Sequence, residues 1–261
     1  MTERRNSGTE GRLETDGAEI AWKRTTGRGP TLIWLGGFRS EMAGTKAGAL
    51  AEWAAVQGRD FLRFDYFGHG ISAGRFEAGT VTRWRADALA VLDMLTEGRV
   101  ILAGSSMGGW LASLAALARP TRIGGLLLIA PAADFTERVI APGLPREAKA
   151  ALRRDGVWRR PSAYDPHGYP ITRQLLEDGA RWSILPGPIP IEAPVRILQG
   201  GADPEVPWRH ALDLALAIKS EDLVFSLVRD GDHRLSRQED LARITAFAAE
   251  LAEGVGSPRP P

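Results

Sequence analysis

The chain has 261 residues, 44% hydrophobic and 25% charged, which is enough apolar material for one large core and shows no compositional sign of general disorder. Its 33 basic residues nearly balance 32 acidic ones, so a net charge of +1 gives no field of one sign to recruit nucleic acid or an anionic membrane. Cysteine is absent, which excludes disulfides, thiolate metal sites and a cysteine nucleophile together.

In chain order, residues 1–11 are polar and predict a flexible N-terminus, with no apolar stretch to serve as a signal peptide. Gly11 to Lys23 predicts a hairpin turning at Asp16-Gly17. Four apolar runs follow, Thr31 to Leu35, Phe61 to Tyr66, Val100 to Ala103 and Leu126 to Ala130, separated by segments of helical length and pattern. Such alternation implies an α/β fold, a mostly parallel central sheet flanked by crossover helices. After Pro131 the rhythm breaks, and eight prolines between Pro142 and Pro190 punctuate short helical patches. Residues 132–193 are therefore read as a helical cap inserted before the last two strands. Alternation resumes with Val195 to Leu198, a helix around Trp208 to Lys219, the strand Leu223 to Val228 and an amphipathic helix from about Arg237 to Leu251. The core is assigned to residues 12–131 and 194–253, and residues 254–261 (GVGSPRPP) to a flexible tail that cannot continue a helix. No segment approaches the uninterrupted apolar length of an integral membrane span.

The apolar run at Val100 ends in Gly104-Ser105-Ser106-Met107-Gly108, and an apolar, alanine-rich helical pattern follows at once. A serine at the crest of such a strand-to-helix turn has an exposed hydroxyl, and glycines two positions away on each side leave room for the crowded backbone. The pattern G-x-S-x-G is expected by chance roughly 0.16 times at this composition, yet it occurs twice. The second copy, Gly70 to Gly74 around Ser72, follows a loop and leads into the polar stretch Arg75-Phe76-Glu77, so Ser72 is read as a loop serine. Context selects Ser106 as the candidate nucleophile.

A serine hydroxyl needs a base within hydrogen-bond reach and an acid to orient that base. His233 follows the last predicted strand, at the sheet edge where catalytic groups of open α/β sheets gather. His69 lies in a glycine-bounded turn and is read as structural, His167 lies in the cap, and His210 sits near a helix start. For the acid, Asp203 lies just past Val195 to Leu198, after Gly200-Gly201, and completes the chain order Ser, acid, His. Its rivals are Asp134, Glu205 and Asp232, while Asp65 is read as bracing its loop. Backbone N–H groups must also hold the oxyanion; Met107, and Phe38 after Gly36-Gly37, are the expected donors.

These residues resemble the α/β-hydrolase superfamily from about Ile20 to Leu251. The runs RFDYFGHGIS (63–72), RWRADALAVLDML (83–95), GSSMGGWLA (104–112), GVWRRPSAY (156–164), DPEVPW (203–208) and GDHRLS (231–236) are similar to its palmitoyl-protein thioesterase and acyl-glucuronide esterase branch. The resemblance implies Ser106, Asp203 and His233 as nucleophile, acid and base. It also implies hydrolysis of acyl thioesters or activated esters without a cofactor or metal. Substrates would be small-molecule acyl esters or thioesters, or an S-acylated protein. The short leader, with Glu3 and Glu10, departs from a mitochondrial presequence and suggests a bacterial relative in the cytoplasm. Arg153, Arg154, Arg159 and Arg160 cluster in the cap; a solvated basic face is the plainer reading, with Arg159 and Arg160 as candidates to meet an anionic leaving group. The alternatives are a general carboxylesterase or lipase-like hydrolase and a non-catalytic binding protein on the same scaffold.

Overall fold

The computed structural model describes residues 8–161 and 168–255. The chain opens with β1 (Gly8–Thr15) and β2 (Ala18–Thr25), an antiparallel hairpin whose turn residues Asp16 and Gly17 both take positive φ. The expectation that residues up to 11 are flexible is corrected here for Gly8 to Gly11, which pair with Trp22 to Thr25. Their polarity has a different cause: β1 lies at a sheet edge, where most of its side chains face water.

The remaining core strands are β3 (Arg28–Leu35), β4 (Arg59–Phe64), β5 (Val100–Ser105), β6 (Ile123–Ile129), β9 (Val195–Gly200) and β10 (Leu223–Val228). They form an eight-stranded sheet in the order β1-β2-β4-β3-β5-β6-β9-β10, parallel from β4 onward. Helices α1 (Thr45–Gln57) and α7 (Gln238–Gly254) cover one face; α2 (Val81–Leu95), α3 (Met107–Ala118) and α6 (Trp208–Ala217) cover the other. The period-2 geometry of a strand explains the division. In β3, Ile33 and Leu35 join the cluster under α2 and α3, whereas Leu32 and Trp34 join the cluster under α1 and α7. Burial on both faces accounts for the nearly unbroken apolar runs of β5 and β6.

Between β6 and β9 lie a π-helical turn (Thr136–Ile140), α4 (Arg146–Asp155), the antiparallel pair β7 (Val157–Arg160) and β8 (Tyr169–Thr172), and α5 (Arg173–Ala180). The segment read as a helical cap thus also holds an antiparallel strand pair, because four-residue strands are too short to show a period in the sequence. The segment is tied to the core through a buried carboxylate. Asp178 on α5 accepts from the Thr82 backbone N–H at 2.8 Å and from its hydroxyl at 2.6 Å.

Candidate active site

Ser106 sits between the end of β5 and the start of α3 with φ 55° and ψ −119°, a conformation costly for a residue bearing a side chain. The turn is held by the Ser106 N–H donating to the Ile129 carbonyl at 2.9 Å and by the Ala132 N–H donating to the Ser106 carbonyl at 3.1 Å. Both flanking glycines are required by contact: a Cβ on Gly104 would lie 2.2 Å from the Gly108 carbonyl oxygen, and one on Gly108 would lie 2.1 Å from that of Leu35. The elbow is therefore packed against β3 as well as against its own helix.

The structure brings the three separated side chains together. Ser106 Oγ and His233 Nε2 are 3.1 Å apart, and His233 Nδ1 and Asp203 Oδ2 are 2.8 Å apart. With the Nδ1 proton donated to the carboxylate, Nε2 is left as an acceptor for the serine hydroxyl. Burial pushes the Asp203 carboxyl up, but the His233 hydrogen bond and charge, with the Val206 and Glu205 backbone N–H groups, hold it below its ordinary range. Those two amides reach Oδ1 at 2.9 and 2.8 Å, and Gln199 Nε2 donates to Oδ2 at 3.1 Å. The Asp203 side chain is fully buried, whereas the His233 imidazole is 22% exposed and lines the cavity.

The rival acids have other work. Asp134 accepts from the Ser183 hydroxyl at 2.7 Å and from the Ile184 and Leu185 N–H groups at 2.9 and 2.8 Å, so it anchors the far end of the segment between β6 and β9. Glu205 pairs with Arg160 at 2.9 Å, and Asp232 Oδ1 accepts from the Leu235 N–H at 2.9 Å. His167 lies outside the described residues. His210 is buried, which lowers its pKa. Ser72 donates to the Asp65 carbonyl at 2.6 Å and accepts from the Ala21 N–H at 2.8 Å, as a loop serine should.

The loop after β3 passes over the elbow: a Cβ on Gly37 would come 3.4 Å from that of Ser106. Met107 heads α3, where the first-turn N–H groups have no intrahelical acceptor. Asp65 grips the loop through the Met42 N–H at 2.6 Å, which fits the bracing role expected of it. Phe38 sends its ring into an aromatic cluster with Phe76, Trp84, Phe135 and Tyr169.

A cavity of about 420 Å³ opens at Ser106 and His233. The segment between β6 and β9 supplies apolar lining through Phe135, Val139, Ile140 and Ile171, while the loops after β3 and β10 supply Glu41 and Arg234 and the first turn of α1 supplies Lys46. Lys46 escaped the sequence reading. Its half-buried side chain at the start of α1 donates to the Arg234 carbonyl, next to His233, and desolvation, with the Arg234 charge, pulls its pKa down to about 8. No local pattern predicts a contact between residues 188 positions apart. Arg160 lines the cavity, and Arg159 pairs with Glu77 at 3.6 Å. Among the described residues there is no cluster of metal-binding side chains, and no helix is long and apolar enough to cross a membrane.

A mostly parallel sheet with helices on both faces and a strand-turn-helix elbow bearing a serine defines an α/β hydrolase. The family model described as serine aminopeptidase, S33, matches residues 32–168, and the chain belongs to that family of hydrolases. It is 39% identical over 235 residues to the mitochondrial palmitoyl-protein thioesterase ABHD10 of Bos taurus, an alignment covering 90% of this chain and 76% of that protein. A crystal structure of a protein from Agrobacterium vitis S4 is 42% identical and superposes with a TM-score of 0.91, covering 94% of this chain and 99% of that one. The mouse alpha/beta hydrolase domain-containing protein 10 is 36% identical with a TM-score of 0.86, covering 94% and 98%.

Proposed function

We propose that this hydrolase cleaves acyl thioesters or activated carboxylic esters through a Ser106-His233-Asp203 triad. The observation that carries the reading is the relay of 3.1 Å from Ser106 Oγ to His233 Nε2 and 2.8 Å from Nδ1 to Asp203, at the mouth of a cavity with apolar lining. His233 takes the serine proton as Oγ attacks the acyl carbonyl carbon. The Phe38 and Met107 N–H groups hold the oxyanion. The C–S or C–O bond then breaks as His233 returns the proton to the leaving thiol or alcohol. Water, deprotonated by the same imidazole, attacks the acyl-serine and releases the carboxylic acid and the free hydroxyl.

The cavity volume falls within the range of small-ligand pockets. Its apolar cap residues suit an acyl chain, and the thioesterase named among the relatives acts on palmitoyl-protein. Substrates are accordingly a small-molecule acyl thioester or ester, or an S-acylated protein. The compartment is a separate proposal: the cytoplasm, against the mitochondrial location in the relatives' names, to be read by fractionating cells that express the tagged chain.

A fluorophosphonate probe should label the native chain and the Ser72→Ala variant but not Ser106→Ala. Labelling that survives loss of Ser106 and vanishes with Ser72 would overturn the assignment. Comparing kcat/KM for matched oxygen and sulfur esters across acyl lengths then decides between a thioesterase and a general carboxylesterase. A chain that neither turns over nor labels is a binding protein.

A further inference from the structure

The central sheet has two edges, and they are built differently. At one, β1 carries Glu10, Arg12 and Glu14, charges that discourage a second strand from approaching. At the other, β10 reads Leu223-Val224-Phe225-Ser226-Leu227-Val228, with no charge, no proline and an unbroken parallel register with β9. Among the described residues no strand covers its outer side, and Val224 and Leu227 are 40% and 46% exposed.

The backbone fixes what could bind there. The carbonyls of Asp222 and Val228 accept from the Val195 and Gly201 N–H groups at 2.8 and 2.7 Å, so the even-numbered residues of β10 face β9. By alternation, Leu223, Phe225 and Leu227 direct both N–H and C=O away from the sheet. A strand arriving antiparallel through a two-fold axis must oppose odd-numbered residues to odd-numbered ones, because opposed side chains share a face of the sheet. With the axis at Phe225, that residue meets its own copy and Leu223 meets Leu227. Just beyond the strand ends, exposed Glu221 at a bend and exposed Arg229, first in the turn that the Gly231 N–H closes on the Val228 carbonyl at 2.9 Å, bring opposite charges to the two ends of the paired edge. Moving the axis to Ser226 sets Leu223 against Arg229, and moving it to Val224 sets Glu221 against Leu227. Only the Phe225 register of these three matches aromatic to aromatic, aliphatic to aliphatic and acid to base.

We propose that β10 is a self-pairing edge through which two copies of this chain form a two-fold dimer with Phe225 on the axis. Such an interface is isologous, so Phe225 meets its copy once and each off-axis pair occurs twice. Leu216, on the α6 helix that covers the odd-numbered face and 77% exposed, adds apolar surface beside the joined strands.

The test is sedimentation or light scattering of the full chain across the micromolar range. The native protein should be a dimer whose dissociation constant rises with salt, because the terminal ion pairs are exposed. Glu221→Arg and Arg229→Glu each oppose like charges at two points and should raise that constant about tenfold or more. The double variant restores a complementary pair at both points and should return the constant toward the native value. Neither residue lies in the core or the active site, so unfolding temperature and ester turnover per subunit serve as controls for folding. A monomer at every concentration, a dimer indifferent to either reversal, or a loss that the double variant does not restore each overturns the proposal.

Discussion

His69 Nε2 accepts the Arg39 N–H at 3.3 Å, one residue beyond Phe38 and at a position held at φ 60°. The imidazole is neutral and its tautomer is set by its second bond, from Nδ1 to the Phe67 carbonyl at 3.2 Å. Its ring is wedged edge-on among Tyr66, Phe76 and Trp84. The second G-x-S-x-G segment, with Asp65 and His69 leading into it, thus serves the first by gripping the loop that passes over the elbow. His69→Phe keeps the packing and removes the acceptor. We expect kcat for ester hydrolysis to fall on the order of tenfold from a small misplacement of the Phe38 N–H, the proposed oxyanion donor, with KM nearly unchanged. Affinity for a boronic acid, which mimics the tetrahedral species, should fall in the same proportion, whereas a loss confined to KM would contradict the positioning role.

The same histidine makes stability depend on pH. Burial lowers its pKa from 6.5 to about 4, so between those values the unfolded chain binds the extra proton. Its contribution is fully present above pH 6.5 and is lost as pH falls toward 4, a swing of about 3 kcal/mol. Asp87 works in the opposite sense, since burial raises its carboxyl to about 6 and the folded state then holds a proton that the unfolded state releases. Urea unfolding of the native chain from pH 7 to 4 should therefore show partial cancellation. His69→Phe should remove the acid-side loss and become relatively more stable as pH falls, and parallel curves for the two proteins would refute the assignment.

Asp203→Asn tests the relay without disturbing packing. An amide can donate its N–H to Nδ1 and favour the tautomer that places the imidazole proton on Nε2, where it cannot accept from Ser106. Steady-state kcat should drop on the order of 10⁴-fold with the fold intact by circular dichroism. Residual activity near the native value would return the acid role to one of the rival carboxylates.

The parts of this site that were legible in the sequence are those set by local stereochemistry. Gly104 and Gly108 flank Ser106 because the turn leaves no room for side chains, and that need is written in five consecutive residues. The approach of Asp203 to His233 was readable because the carboxyl ends of parallel strands meet on one rim. Asp134 could be demoted only in three dimensions, by acceptors satisfied from residues 183–185. Lys46 and the β7–β8 pair left no signal for the same reason, being defined by distant partners and very short runs. Polarity misled the reading of Gly8 to Gly11, because an edge strand and a flexible arm have the same composition.

Arg160 reaches the cavity already paired with Glu205 at 2.9 Å, both side chains about a third exposed. Its charge is thereby largely compensated, and the pair contributes little to stability. Glu205→Gln should free the guanidinium and lower KM for esters with anionic leaving groups by up to about fivefold relative to neutral ones. Arg159→Ala, which only releases Glu77, should shift neither. Equal changes for anionic and neutral esters in the first variant would mean that Arg160 does not recognise leaving groups.

Two glycine-to-alanine changes separate steric need from helix propensity. On Gly108 the new methyl would stand 2.1 Å from the Leu35 carbonyl and 2.5 Å from that of Gly36, backbone atoms that cannot rotate away. Relief requires α3 to lift from β3, so Gly108→Ala should cost about 3 kcal/mol or more in urea unfolding and move the serine out of reach of His233. Gly48, inside α1, has nothing within 4 Å of the same methyl. Gly48→Ala should therefore stabilise the chain by about 0.5–1 kcal/mol, through the lower backbone entropy of the unfolded state, and leave turnover unchanged. A destabilised Gly48→Ala, or a Gly108→Ala of native stability and activity, would show that the elbow is looser than its contacts require.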